Sequence, residues 1–134
     1  MSIEIAVIGA GRIGQIHARN IARHPEARVR FVVDVNAEAA SRLADACGAT
    51  VVDEETALTD PAVQGVVIAS STDTHLPLIM ACAANGKSIF CEKPLDLDTS
   101  RAGKCQAAAA DAGVALFVGF NRRFDPSFRR IRDA

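Results

Sequence analysis

The sequence predicts an α/β fold, namely a doubly wound parallel sheet of about six strands with helices on both faces. Short apolar runs alternate with segments of helical periodicity along the whole chain, which is typical of parallel strands joined by helices. Two of the runs, Ile5–Ile8 and Gly65–Ala69, are continuously apolar. Central strands have this composition because helices cover both of their faces.

Length and composition fit a single domain covering residues 1–134. The chain is 49% hydrophobic and 23% charged and has a formal net charge of −1, which suits one core of ordinary size. The mixed charge gives no reason to expect nucleic acid or an anionic membrane as a partner, and no apolar run approaches the roughly 20 residues of a membrane span. The arginines near the end of the chain are expected on a solvated or inter-domain face: Arg122, Arg123, Arg129, Arg130 and Arg132.

Six segments are predicted to be strands because each is apolar and bounded by turn residues or by a helical segment. In chain order they are Ile3–Ile8, Val29–Val35, Ala49–Val52, Val66–Ala69, Ser88–Cys91 and Val114–Phe120. The first and the fourth carry the continuously apolar runs, so we expect them near the middle of the sheet.

The first predicted helix runs from Arg12 to His24, and Pro25 ends it. We expect its buried stripe to contain Ile13, Ile16, His17, Asn20 and Ile21. On that stripe, His17 is interpreted as a core histidine whose ring nitrogens are hydrogen-bonded.

Five further helices are predicted. They cover Asn36–Cys47, Glu54–Leu58, a segment from Thr72 or Asp73 to Asn85, Asp98–Ala112, and a tail helix from Asp125. Asn36 is a suitable N-cap and Gly48 a suitable stop for the first of these. Pro77 is compatible with a helix because the amides of a first turn have no partner within the helix.

The cysteines indicate no special chemistry. Their spacing matches neither a redox pair nor a zinc site, so we interpret all four as small core residues: Cys47, Cys82, Cys91 and Cys105. No metal site is predicted. The amino-terminal residues show no signal-peptide pattern, and a reducing cytoplasm is the expected compartment.

A glycine-rich loop follows the first strand directly and opens the first helix. Gly9 permits the tight turn, Gly11 lets the backbone approach a pyrophosphate, and Gly14 lets the helix pack against the sheet. The free N–H groups near Arg12 and Ile13 would face the negative charge. The loop therefore predicts a dinucleotide cofactor on a Rossmann-type domain.

Asp34 selects the form of that cofactor. It ends the second predicted strand at the interval from Gly14 that is typical of a ribose-binding acid, about 20 residues. A carboxylate there repels a 2′-phosphate, and no arginine lies in the following Val35–Ala37, so NAD is expected rather than NADP. Two alternatives stay open: a glycine turn in a domain that binds no nucleotide, and a methyltransferase, whose cofactor has no pyrophosphate.

Two further motifs lie where parallel strands end. Ala69–His75 follows the fourth predicted strand and Cys91-Glu92-Lys93-Pro94-Leu95 the fifth, and a Gly119–Pro126 stretch comes later. Together with the glycine loop, this combination resembles the Gfo/Idh/MocA family of glucose-fructose oxidoreductases and inositol dehydrogenases over the whole chain. It looks most like the inositol 2-dehydrogenase branch.

The resemblance implies roles for five residues. Lys93 would be catalytic, its ammonium stabilising the negative charge that develops on the substrate oxygen and joining the proton relay. Ser71, Thr72 and His75 would line the cofactor, with Glu92 near its nicotinamide end. His75 could equally pack at the start of the fourth helix.

The Lys93–Pro94 bond is predicted to be cis. The chain must turn sharply there to hold the lysine over the nicotinamide site, and a trans bond would favour an extended path. The resemblance points the same way. We expect the ammonium in the cleft beside Gly9.

The resemblance also implies a second, larger domain beyond residue 134 that supplies substrate contacts and the oligomer interface. We therefore expect this chain to be the cofactor domain of a dehydrogenase that oxidises a polyol or sugar, with myo-inositol as the first candidate. By itself it is expected to be inactive. The alternative is a non-catalytic NAD-binding module.

Overall fold

A computed structural model describes all 134 residues and shows one six-stranded sheet. The strands are β1 (Ile3–Ile8), β2 (Ala27–Val33), β3 (Thr50–Val51), β4 (Gly65–Ile68), β5 (Ser88–Cys91) and β6 (Leu116–Val118). All neighbours pair in parallel, in the order β3-β2-β1-β4-β5-β6. The predicted fold class is confirmed.

Helices cover both faces of the sheet. They are α1 (Arg12–Arg23), α2 (Ala37–Cys47), α3 (Glu54–Thr59), α4 (His75–Ala84), α5 (Thr99–Ala112) and α6 (Pro126–Asp133). One buried cluster joins residues of α1 and α2 to one face, and a larger cluster joins residues of α3, α4 and α5 to the other. No helix is both long enough and apolar enough to cross a bilayer.

The buried stripe of α1 differs from the prediction. Ile13, Ile16 and Asn20 are exposed, whereas Gly14 and Ala18 are buried. The reason is the close approach of this helix to the sheet, since a Cβ on Gly14 would overlap the carbonyl of Gly9. Small residues therefore form the contact face, and the larger ones remain at its edge.

Strand β2 begins two residues before the predicted start and ends before Asp34. Its pairing with β1 shifts register between Ile5 and Ala6, so that Val29 and Arg30 together oppose one residue of β1. Because of this bulge, Val29 and Val32 pack in the same cluster, which uninterrupted alternation would not allow.

Strand β6 is shorter than predicted at both ends. The Val114 N–H donates to Ala109 O and so belongs to the end of α5. At the other end, the Phe120 N–H donates to Val118 O and turns the chain out of the sheet. Edge strand β3 is shorter than predicted too, and β4 begins and ends one residue earlier.

Helix α4 also starts later than expected, because Thr72–Thr74 form a 3₁₀ turn ahead of it. Pro77 does lie in the first turn, as predicted. Of the four cysteines, Cys47 is only partly buried, and the other three lie in the core.

Candidate cofactor-binding site

The glycine loop lies at the point where the strand order reverses, between β1 and β4. Gly9 has φ of +106°, and a Cβ there would stand 2.6 Å from the Ala69 carbonyl, so only glycine fits. Nothing lies within 4 Å of a Cβ built on Gly11. The loop therefore leaves open space at the switch point, where sheets of this type bind ligands.

The start of α1 has no side-chain cap. Gly11 is its N-cap, and no side chain accepts from the first-turn amides, whereas four other helices are capped by carboxamide or carboxylate oxygens: Asn36, Asp53, Asp98 and Asp125. The first-turn amides of Arg12 and Ile13 are thus available to an anion.

A cavity of about 380 Å³ lies on the β2 side of the loop, and we call it the Asp34 cavity. It is lined by Ile8, Gly9, Gly11, Val33, Asp34, Val35, Glu54, Ala69, Ser70, Ser71, Thr74 and Leu78. Asp34 Oδ2 accepts the Ala10 N–H at 2.6 Å and Oδ1 accepts the Asn36 N–H at 2.8 Å. One carboxylate thus holds the glycine loop and the start of α2 together.

A second cavity of about 290 Å³ lies on the β5 side, and we call it the Lys93 cavity. It is lined by Ile13, Ala69, Ser70, Thr72, His75, Glu92, Lys93 and Asn121, so the two cavities have Ala69 and Ser70 in common. The Lys93–Pro94 bond is cis, as predicted. Lys93 shares its cavity with Ile13 of the loop, whereas Gly9 lines the other cavity.

His75 is almost fully buried, with 1% of its surface exposed. Its Nδ1 lies 2.9 Å from Pro94 O and its Nε2 lies 3.1 Å from Ser70 O. The ring therefore ties the segment after β4 to the segment after Lys93. These contacts favour the packing role that the sequence left open for this histidine.

His17 is not the core histidine that the sequence suggested. Its side chain is 23% exposed and its Nε2 lies 2.7 Å from Glu92 Oε1. Sequence reasoning did not pair the two residues. The available signal was helical spacing, because His17 lies one turn after Ile13 and Gly14 and hence on the same edge of α1 as the loop.

Cys91 lies next to this site but is not a candidate nucleophile. The pKa of its thiol is raised to about 12, mainly by burial. The reactive thiolate is therefore scarce at neutral pH. No group of three or more metal-ligating side chains comes together.

Residues 3–120 match the family model described as an oxidoreductase family with an NAD-binding Rossmann fold. The chain belongs to this Gfo/Idh/MocA family. It is an NAD-binding Rossmann domain, and the family's members are oxidoreductases.

Named relatives align with 98% or more of this chain. It is 43% identical over 136 aligned residues to an inositol 2-dehydrogenase of Rhizobium meliloti, covering 100% of this chain and 41% of the relative. The crystal structure of GenD2 from gentamicin A biosynthesis in complex with NAD has a TM-score of 0.94 and 35% identity, over 98% of this chain and 38% of that one.

A third relative has been solved with NAD(H) and scyllo-inositol bound. The scyllo-inositol dehydrogenase of Lactobacillus casei with bound NAD(H) and scyllo-inositol has a TM-score of 0.90 and 29% identity, over 99% of this chain and 40% of that one. The chain thus spans about two fifths of the length of the relatives it matches.

Proposed function

We propose that this chain binds NAD across the carboxyl edge of its sheet, with the adenosine in the Asp34 cavity and the nicotinamide in the Lys93 cavity. The observation that carries the proposal is that the two cavities share Ala69 and Ser70 as lining residues beside the glycine loop. The uncapped start of α1 lies between them and suits the pyrophosphate.

The Asp34 cavity has the chemistry that an adenosine requires. A carboxylate offers about four lone-pair sites, so Asp34 can accept the ribose hydroxyls while it holds Ala10 and Asn36. Val35 is fully exposed and lines the cavity with Leu78, which provides apolar surface for the base.

The same cavity disfavours a 2′-phosphate. Its lining includes two carboxylates, Asp34 and Glu54, and no lysine or arginine. A phosphate placed there would meet negative charge without a compensating donor. NAD is therefore the proposed cofactor in preference to NADP.

For the chemistry, we assign Lys93 to the oxygen atom of the substrate that reacts. We assign Ser71, Thr72 and Glu92 to the walls of the site around the substrate and the cofactor. The proposed reaction is oxidation of a secondary alcohol of an inositol or related polyol, for which bound NAD would supply the hydride acceptor while the hydroxyl proton leaves through a proton relay that Lys93 joins. The Lys93 ammonium stabilises the negative charge on the oxygen.

The proposed substrate class rests on the names of the relatives. A region corresponding to the part of the relatives that this chain does not cover is the proposed source of substrate contacts and of the oligomer interface. Four free thiols support the proposed cytoplasmic location.

Calorimetric titration with NAD and NADP tests the cofactor proposal. We expect NAD to bind more tightly, and Asp34→Ala to narrow the difference, whereas Asp45→Ala on the exposed face of α2 leaves it unchanged. Equal affinities in the unmodified chain, or tighter binding of NADP, would contradict the assignment of Asp34.

NADH formation with myo-inositol tests the proposed division of labour. The 134-residue chain is expected to show no turnover, because it spans about two fifths of its dehydrogenase relatives. Turnover on the order of 1 per second, ordinary for an enzyme, would show instead that these residues form a complete catalyst.

A further inference from the structure

We infer that His17 is a positioning residue for Lys93 and acts through the carboxylate of Glu92, so that the helix of the glycine loop sets where the lysine stands. The inference rests on the proposed function in one respect, the assignment of Lys93 to the nicotinamide end. The contact itself joins residues 75 positions apart in the chain.

Both carboxylate oxygens of Glu92 are engaged by the protein. Oε1 lies 2.7 Å from His17 Nε2, and Oε2 accepts the Lys93 backbone N–H at 3.1 Å. The side chains of His17 and Glu92 are 23% and 20% exposed. A hydrogen bond to a carboxylate is stronger than one between two neutral groups. Glu92 thus joins α1 directly to the backbone of Lys93.

The two polar side chains pack against neighbouring residues. Gly119 lies so close that a Cβ built on it would stand 3.2 Å from Glu92 Oε1 and 3.1 Å from the ring of Phe90. The Phe90 ring packs edge-on against the His17 ring, with 4.9 Å between the ring centroids. Contacts with Phe90 and Gly119 therefore support the orientation in which His17 and Glu92 meet.

The consequence concerns the distance across the cofactor. The first turn of α1 faces the proposed pyrophosphate site, and Lys93 faces the nicotinamide end of the same molecule. The Glu92 bridge ties these two points through side chains, independently of the β1–β4–β5 hydrogen bonds of the sheet. Loss of the bridge should thus affect the nicotinamide end and leave the adenosine end as it is.

The test compares NADH with ADP-ribose, which lacks the nicotinamide. In His17→Leu we expect NADH affinity, followed by the fluorescence of the nicotinamide, to fall by up to about threefold, as in Lys93→Ala, with ADP-ribose affinity unchanged. His17→Gln keeps an N–H donor for Glu92 and should restore most of the loss. Asn20→Leu, the same kind of change on an exposed position of α1, should alter neither affinity.

A second measurement needs no ligand. The amide resonance of Lys93 reports on its bond to Glu92, and we expect it to move in His17→Leu and Glu92→Gln and to stay in place in Asn20→Leu. An unmoved resonance in His17→Leu, or equal losses of NADH and ADP-ribose affinity, would overturn the inference. Failure of the unmodified chain to bind NADH would instead overturn the proposed function, and the resonance would still decide whether His17 positions Lys93.

Discussion

The two ends of the proposed cofactor site are built differently. At the Asp34 cavity, the functional carboxylate is already bonded to the loop and to α2 through backbone amides. At the Lys93 cavity, the lysine is exposed, and Phe120, which lines a further cavity together with it, is 50% exposed. The adenosine end is therefore preorganised by the middle of the sheet, whereas the nicotinamide end depends on side chains at its β5–β6 edge.

The largest effect is expected from Gly14→Ala. Its Cβ would meet the backbone carbonyl of Gly9, so α1 must move away from the sheet, and we expect about 3 kcal/mol or more of lost stability together with loss of NAD binding. Urea unfolding and calorimetry measure the two effects.

Gly11→Ala is the matched control for that variant. Nothing lies near its Cβ, and its φ of −74° suits any residue, so stability should be unchanged while NAD affinity falls. A Gly14→Ala chain as stable as the parent would show that the adenosine end is not tightly packed.

Asp34→Ala comes next, because it removes the proposed ribose acceptor and the bond to Ala10 together. We expect roughly thirtyfold weaker binding of both NAD and ADP-ribose, about 2 kcal/mol. Hydrogen exchange at the Ala10 amide should accelerate in parallel. Unchanged exchange would mean that the loop keeps its shape without the carboxylate.

Lys93→Ala should have a smaller effect on the same measurements. The lysine is exposed, so we expect NAD affinity to change by about threefold or less and ADP-ribose affinity not to change. A loss as large as that of Asp34→Ala would remove the contrast between the two ends.

Local sequence patterns predicted well where the glycine loop and Asp34 lie, and there is a physical reason. The glycine loop is contiguous, each glycine has a steric requirement of its own, and Asp34 follows at a fixed interval, so strand and helix geometry alone bring them together. The cis Lys93–Pro94 bond was predicted too, from the sharp turn that the chain needs there and from the family resemblance.

Features that depend on tertiary packing were not predicted. The His17–Glu92 bond requires knowledge of how α1 lies over β5, which no local pattern contains. The exposure of Ile13 and Ile16 was missed for a related reason. An amphipathic pattern assumes that large residues face the core. Because Gly14 lets α1 approach the sheet closely, only small residues fit on the buried face of this helix.

The smallest predicted effect concerns the loss of folding stability at acidic pH. The Asp98 N–H, followed by the Arg101 guanidinium, holds the pKa of Asp96 below its usual value. A lowered folded pKa stabilises the fold at pH values above the unfolded value of about 3.9, and this contribution disappears as the pH falls through the folded pKa. Thermal melts between pH 5 and about 2 should therefore show a shallower loss for Asp96→Asn than for the parent. Asp111→Asn, exposed on α5, should follow the parent.

The bulge in β2 has a consequence for how this strand tolerates changes in length. Two residues of β2, Val29 and Arg30, share one pairing position on β1, so the strand carries one residue more than its ladder uses. Removing Arg30 would leave Val29 and Val32 on the face they already occupy and would keep Asp34 level with Gly9. Removing Phe31 instead would push the Arg30 side chain into the core position of a phenylalanine. The strand that leads to Asp34 thus contains one residue, Arg30, that its pairing with β1 does not require, and another contribution of this residue is its ion pair with Asp60.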